Sequence, residues 1–182
     1  GIDLMADVLK SFIKELPETD DFQVVAKEIP LVKKLIETGY TGRKGKGGFY
    51  RMNKTDGKKV LEGINLETGE YSLSHKFNLG SEKMDIVNLI NRKDKYGEYA
   101  WSVLSKIIKY ASSLVPGITD KFNDIDEAMR LGFNWSKGPF EMLKEIGVKN
   151  FFERLDNFEN NKFLEDLSKS KDENFYGERQ QY

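Results

Sequence analysis

Residues 123–147 read NDIDEAMRLGFNWSKGPFEMLKEIG, and this stretch decides the fold. It predicts two short helices joined by a tight connection. Asn123 or Asp124 is placed to cap the first, and Asp124 with Glu127 has the spacing of a capping box. Gly132 stands where a left-handed residue would end that helix. Gly138-Pro139 starts the next one, because proline at the first helical position gives up an N–H that no helix uses. Phe140, Leu143 and Ile146 then share one apolar face, and Gly147 stops the helix.

Working outward, the amphipathic pattern continues on both sides. Tyr96 to Leu114 predicts the longest helix: Tyr99, Ala100, Val103, Leu104, Ile107, Ile108, Ala111 and Leu114 recur at three-four spacing, the mark of a packed face. Ser81 is placed to cap a helix running through Asn91, and Phe77 to Ser81 reads as a connector. Beyond the focal pair, Val148–Asn157 and Lys162–Lys169 are expected to be helical. Residues 170–182 are polar, with Phe175-Tyr176 as an anchor. Toward the N-terminus, helices are expected over Gly1–Lys14 and Ile29–Thr38, the second closed by Gly39. Between them and the long helix, Phe49–Asn53, Lys59–Asn65 and Glu70–Leu73 predict a β-meander, with turns at Asp56-Gly57 and Glu67-Thr68-Gly69.

Composition narrows the function classes. The 182 residues suffice for one or two domains, and 38% hydrophobic with 32% charged residues favours a globular chain over a disordered one. The formal net charge of −1 offers no long-range attraction to nucleic acid or an anionic membrane. No apolar run approaches the roughly 18 residues of a membrane span. Absence of cysteine excludes disulfides and thiol chemistry. The expected setting is cytoplasmic.

Few residues invite chemistry. The single histidine, His75, stands at the end of a predicted strand without a paired carboxylate, so a surface or packing role is expected. The carboxylates Asp124, Asp126, Glu127, Glu141 and Glu145 lie on helices, where caps and solvated faces account for them. No metal site is expected. The loop Gly42–Gly48 is rich in glycine and lysine and raises the question of phosphate binding. It is not a dinucleotide fingerprint: the third glycine is missing and a helix, not a strand, precedes it. Nor is it a P-loop, since glycine follows Lys46 where Ser or Thr is required.

Two motifs resemble a known family. Asp124-Ile125-Asp126, Ala128-Met129, Gly132-Phe133 and Gly138-Pro139-Phe140 resemble the C-terminal helical domain of 3-hydroxyacyl-CoA dehydrogenases, with its Asp-Ile-Asp-x-Ala-Met helix and Gly-Pro-Phe start. Gly42-Arg43-Lys44 with Gly48-Phe49-Tyr50 is similar to the Gly-Arg-Lys-x-x-x-Gly-Phe-Tyr that commonly ends the first helical copy in that family. An internal echo fits: GIDLMADVLKSF from Gly1 matches GVKNFFERLDNF from Gly147, with Leu9 against Leu155 and Phe12 against Phe158. Long members of the family carry the helical domain twice.

The resemblance implies the following expectations. The fold is mainly α, with helical domains like the C-terminal part of 6-phosphogluconate dehydrogenase and a small antiparallel β-meander at about residues 49–74. Residues 1–50 form the second half of a first copy, 51–80 the meander and connector, 81–169 a second copy, and 170–182 a tail or linker. The parent would be an NAD-dependent 3-hydroxyacyl-CoA dehydrogenase of fatty-acid β-oxidation, its NAD bound by a nucleotide-binding domain outside this chain. Its partners would be that domain, the acyl-CoA substrate, an enoyl-CoA hydratase domain and a second protomer, with no nucleic acid or membrane. Arg43, Lys44 and Lys46 would meet the coenzyme A phosphates. The family's site asparagine lies in Gly-Phe-x-x-Asn-Arg. Here that stretch is Gly97-Glu98-Tyr99-Ala100-Trp101-Ser102, so Trp101 replaces the asparagine, and no catalytic residue is expected in the chain. The rival expectation is a helical protein-interaction module.

Overall fold

A computed structural model describes residues 1–55, 57–75, 85–172 and 174–176. Among these, the helices are α1 (Ile2–Glu15), α2 (Phe22–Val25), α3 (Pro30–Glu37), α4 (Ile86–Ile90), α5 (Lys95–Ser113), α6 (Phe122–Phe133), α7 (Pro139–Ile146), α8 (Val148–Arg154) and α9 (Lys162–Ser170). The strands are β1 (Tyr50–Thr55), β2 (Lys58–Ile64) and β3 (Tyr71–Leu73). The described chain is therefore mainly helical with one small antiparallel sheet. Its contacts divide it into two compact units, Gly1–Asn78 and Leu79–Tyr182.

The first unit is built on a small core. Ile2 of α1 with Val32 and Leu35 of α3 are buried, and Tyr40, Phe49 and Ile64 pack against them. Pro30 opens α3 at a position that needs no N–H, and Gly39 leaves it with a positive φ of 83°. The sheet has the order β1-β2-β3. Met52 faces Leu61 and Tyr50 faces Gly63 across the first pair, so Tyr50, Met52 and Leu61 share one face, and all three are exposed. The opposite face carries Arg51 against Glu62, joined at 2.7 Å, with the Arg51 guanidinium 4.0 Å above the Tyr71 ring. The short helix α2 carries no periodic signal and is absent from the sequence reading; at four residues it is a single turn. Gly57 has the positive φ of 76° a hairpin turn requires, while Asp56 lies outside the described residues.

The second unit has a larger core. Ile108 of α5, Leu143 and Ile146 of α7, Phe151 of α8 and Leu164 of α9 are all essentially inaccessible. Burying side chains of this size removes each from water at roughly 1.5–3 kcal/mol. Five of the eight residues of α7 are buried, so the Gly138-Pro139 helix is the centre of the unit. The stripe on α5 is covered unevenly: Ala100, Ile108 and Ala111 are buried, whereas Tyr99 and Val103 face solvent. Ser105 and Ser112 are buried on the same helix, with Ser112 Oγ donating to Ile108 O at 2.7 Å.

Several boundaries differ from expectation for identifiable reasons. α6 begins at Phe122, so Asp124 sits inside its first turn and caps nothing; its carboxylate accepts from Thr119 Oγ1 at 3.2 Å. Gly132 is within α6, and the left-handed residue that ends the helix is Asn134 (φ 56°), a residue whose short polar side chain tolerates that conformation. The helix expected from Ser81 begins instead at Ile86, capped by Asp85, which accepts from Asn88 N at 2.7 Å; Ser81 lies outside the described residues, as do 77–80. α8 ends at Arg154, three residues early, where Leu155 turns extended. The other expected ends, Gly138-Pro139 opening α7 and Gly147 closing it with φ 87°, agree with the structure.

Candidate functional site

Gly42–Gly48 lies between α3 and β1 and closes on itself. Gly42 N donates to Gly47 O at 2.6 Å, both glycines have positive φ, and Gly48 is buried against Ile2. Of the three basic residues, Arg43 and Lys44 point into solvent. Lys46 is also exposed, but its ammonium donates to Thr38 O at 3.0 Å and stands 5.9 Å from the Tyr40 ring centre. The loop therefore presents two outward cations and one tied back to the end of α3. Tyr50 is exposed and Phe49 packs on the core. The start of α1 lies against this loop: Ile2 N donates to Thr41 O at 2.9 Å, and Gly1 stands beside Gly42. His75 is exposed two residues past β3.

The most elaborate polar arrangement lies inside the second unit. Asp126 is completely buried. Its carboxylate accepts from Phe140 N at 2.9 Å, Glu141 N at 3.0 Å and the Tyr176 hydroxyl at 2.8 Å. Phe140 and Glu141 are the second and third residues of α7, so Asp126 reaches across from α6 to do what an N-cap side chain normally does. Gly138 holds the N-cap position and has no side chain to offer. A Cβ there would collide with the Cα, Cβ and Oδ1 of Asp126, so only glycine admits the carboxylate. Glu141 completes the start of the helix by accepting from Gly138 N at 2.9 Å, and it pairs with Arg130 Nη1 at 2.6 Å. Burial pushes the Asp126 carboxyl up; the bonds from Phe140, Tyr176 and Glu141 pull the other way and fall short. Burial, then the Asp126 carboxylate, drive the Tyr176 hydroxyl far above its ordinary range, so it remains a donor.

Asp126, Gly138, Pro139 and Phe140 are thus brought together, while Asp124, Gly132 and Phe133 are not: Gly132 meets nothing, and Phe133 is exposed. Arg130, Glu141 and Tyr176 were missed as members of this cluster. For Glu141 the signal was an acid three residues after the glycine. For Tyr176 it was an aromatic pair in a polar segment.

Trp101 stands half-buried on α5. The Phe151 ring packs edge-on at 5.7 Å, and the Arg154 guanidinium lies 4.2 Å above the indole. Arg154 is held there by its bond to Ile90 O at 3.0 Å. Ser102 is exposed. Among the described residues no group of three acidic or histidine side chains is arranged to hold a metal, and no helix is long and apolar enough to cross a membrane.

The sequence is 37% identical over 143 residues, 79% of this chain, to a protein of Rickettsia felis named as a fatty acid oxidation complex trifunctional enzyme. A protein of the same name from Rickettsia prowazekii is 36% identical over 150 residues, 82% of the chain. A Bacillus subtilis protein named as a 3-hydroxyacyl-CoA dehydrogenase is 31% identical over 165 residues, 86% of the chain. The chain matches a fragment of a 3-hydroxyacyl-CoA dehydrogenase. It spans about 20% of the length of each of these relatives. No family model and no solved structure matches it. In this chain the Asp-Ile-Asp and Gly-Pro-Phe motifs are one device: the second aspartate caps the helix that the glycine and proline begin.

Proposed function

We propose that the chain is a non-catalytic helical segment of an NAD-dependent enzyme that oxidises 3-hydroxyacyl-CoA to 3-ketoacyl-CoA in fatty-acid β-oxidation. The observation that carries this reading is Trp101, wedged between Phe151 and Arg154. An indole has an N–H donor but no acceptor and no proton it gives up near neutral pH, so on this reading the chemistry belongs to other parts of the parent. The role left to this segment is closure over the substrate and contact with a neighbouring domain or protomer. NAD binds to a nucleotide-binding domain elsewhere in the parent, which works in the cytoplasm. Its further partners are the acyl-CoA, an enoyl-CoA hydratase domain and a second protomer.

On this reading residues 1–50 are the later half of one helical copy and 81–169 a second copy, joined by the meander and connector at 51–80, with 170–182 as a tail or linker. The exposed apolar residues of α1 (Leu4, Met5, Val8 and Phe12) support it, since they are the surface the earlier half of the copy would cover. Arg43 and Lys44, free of the loop's own bonding, meet the coenzyme A phosphates, with Lys46 beside them. Assays on the purified chain with 3-hydroxyacyl-CoA and NAD are expected to yield no NADH; turnover would overturn the non-catalytic role. In the full-length parent, Arg43→Glu with Lys44→Glu is expected to raise KM for acyl-CoA several-fold at unchanged kcat; an unchanged KM removes the loop from the substrate site. The same exposed α1 face favours a second reading, a helical interaction module. A parent lacking dehydrogenase activity altogether would select it.

A further inference from the structure

We propose that the outer face of the meander, Tyr50, Met52 and Leu61 with Lys54 and Lys59 at its end, docks against another domain of the parent, on an apolar surface flanked by carboxylates. The proposal names the surface behind the domain contact proposed above, and rests on that reading. An antiparallel sheet with one packed face ordinarily turns apolar side chains inward and polar ones to water. Here the packed face is the one that carries Ile64, against the core of the first unit. β1 inverts the pattern. On the Ile64 side it places Arg51, half-buried, bonded to Glu62 at 2.7 Å and set 4.0 Å above the Tyr71 ring. On the outer side it places Tyr50 and Met52, both exposed, with exposed Leu61 opposite Met52. A slip of one residue would exchange the two faces, but the Arg51 contacts hold the register. The Tyr50 ring lies over Gly63, where a Cβ would be 3.4 Å from it, so glycine leaves the ring its place on this surface.

Charge defines the partner's chemistry. Lys54 and Lys59 stand directly opposite each other on this same face, both exposed, and neither has an ion-pair partner among the described residues. Like charges directly opposite destabilise a strand pair, and a carboxylate set between them would remove that cost. Glu62 is the one carboxylate within β1, β2 and β3, and it is engaged by Arg51 on the opposite face. The complementary charge must therefore come from outside the sheet. Size defines the partner's source. Stable complexes of separate proteins use about 20–30 residues a side, and this face is far smaller. Domains of one chain need less, because a linker holds them at an effective concentration of about millimolar. The chain spans about 20% of each relative, so most of each relative's length lies outside the matched stretch.

Zero-length carbodiimide coupling of lysines to carboxylates in the full-length parent, read by peptide mass spectrometry, tests it. Lys54 or Lys59 is expected to join an aspartate or glutamate of the same protomer outside residues 1–182. Met52→Ser with Leu61→Ser changes only exposed positions and adds no carboxylate; it is expected to cut that yield about tenfold through lost apolar burial. Mixing isotopically light and heavy parent separates links within a protomer from links between protomers. Coupling of neither lysine, or coupling only to residues 1–182, would overturn the docking face. So would a yield unchanged in the double variant. Links between protomers would overturn the choice of partner and put a second copy on the face. The turnover assay is separate: NADH formed by the purified chain removes the non-catalytic role without moving these links, and missing links leave that role standing.

Discussion

Helix α1 and helix α8 follow glycines that align, and both place an apolar residue at the first and fourth helical positions, Ile2 and Met5 against Val148 and Phe151; Leu9 lies within α1, whereas its counterpart Leu155 is the extended residue just past α8. Their fates diverge. Ile2 and Val148 are both buried, but Met5 is 47% exposed while Phe151 is wholly inaccessible. Between these positions α1 carries Leu4 and Val8, both exposed, where α8 carries Asn150 and Arg154. Thus α1 presents an apolar surface wider than its unit covers, and α8 ends its apolar surface where its partners end. The difference teaches that burial is a property of the neighbours. Phe151 has α7 and Trp101 of α5 against it, whereas the core α1 shares with α3 is three buried residues with partial cover.

The comparison can be broken most decisively at the aligned pair. Phe151→Ala is expected to cost about 4 kcal/mol through lost transfer and a residual cavity, and Met5→Ala less than about 1 kcal/mol. Both tryptophans, Trp101 and Trp135, lie in the second unit, so urea unfolding followed by indole emission reads that unit directly, and far-ultraviolet dichroism reads the chain. Equal costs would erase the contrast.

Asp126→Ala comes next, at about 3 kcal/mol, because the Phe140 and Glu141 N–H groups and the Tyr176 hydroxyl lose a buried acceptor together. Gly138→Ala is expected to cost about 2 kcal/mol by forcing Asp126 aside. In the double variant the two costs should fall well short of their sum, since both act on one contact. Additive costs would show that glycine and aspartate serve separate purposes. Gly132→Ala, at the motif glycine with open space around it, should be neutral or slightly stabilising in the same assay, as alanine suits a helix interior better.

The smallest effect sharpens the comparison within the second unit, between its buried and its surface cap. Asp94 caps α5 by accepting from Tyr96 N at 3.1 Å and Gly97 N at 3.2 Å, and the Arg92 hydrogen bond, with these two, holds its carboxyl down to about 2 from an ordinary 3.8. A depressed carboxyl stabilises the fold at pH above its unfolded value and loses that contribution as pH falls from about 3.8 through about 2. Asp126 is shifted the opposite way, so acid should loosen the start of α5 before the start of α7. Amide exchange at Gly97 and at Phe140 between pH 4 and pH 2 would check the order.

Much of this was legible in residue order because the signals are local. Proline at the start of α7, glycine at its end, the turn glycines of the meander and the three-four rhythm of α5 each act within a turn or two. Errors gathered where a nearby residue could do the same job. Asn134 took the left-handed position offered to Gly132, and Phe122 began α6 before Asp124 could cap it. The candidate site was legible only in part. Arg43 and Lys44 are where a loop of that composition would put them, but the bond from Lys46 to Thr38 depends on how the loop folds back.

The amino-acid order by itself settled that the chain is mainly helical with a small meander, and which family its motifs resemble, because periodicity, caps and motif spacing are written in neighbouring residues. Tertiary structure alone decided that Asp126 caps a helix starting thirteen residues later, that Tyr176 returns from fifty residues away to the same carboxylate, and that Phe151 is buried while Met5 is not. Those outcomes depend on which surfaces meet, and the free energy of burying a carboxylate or a ring belongs to the environment that receives it.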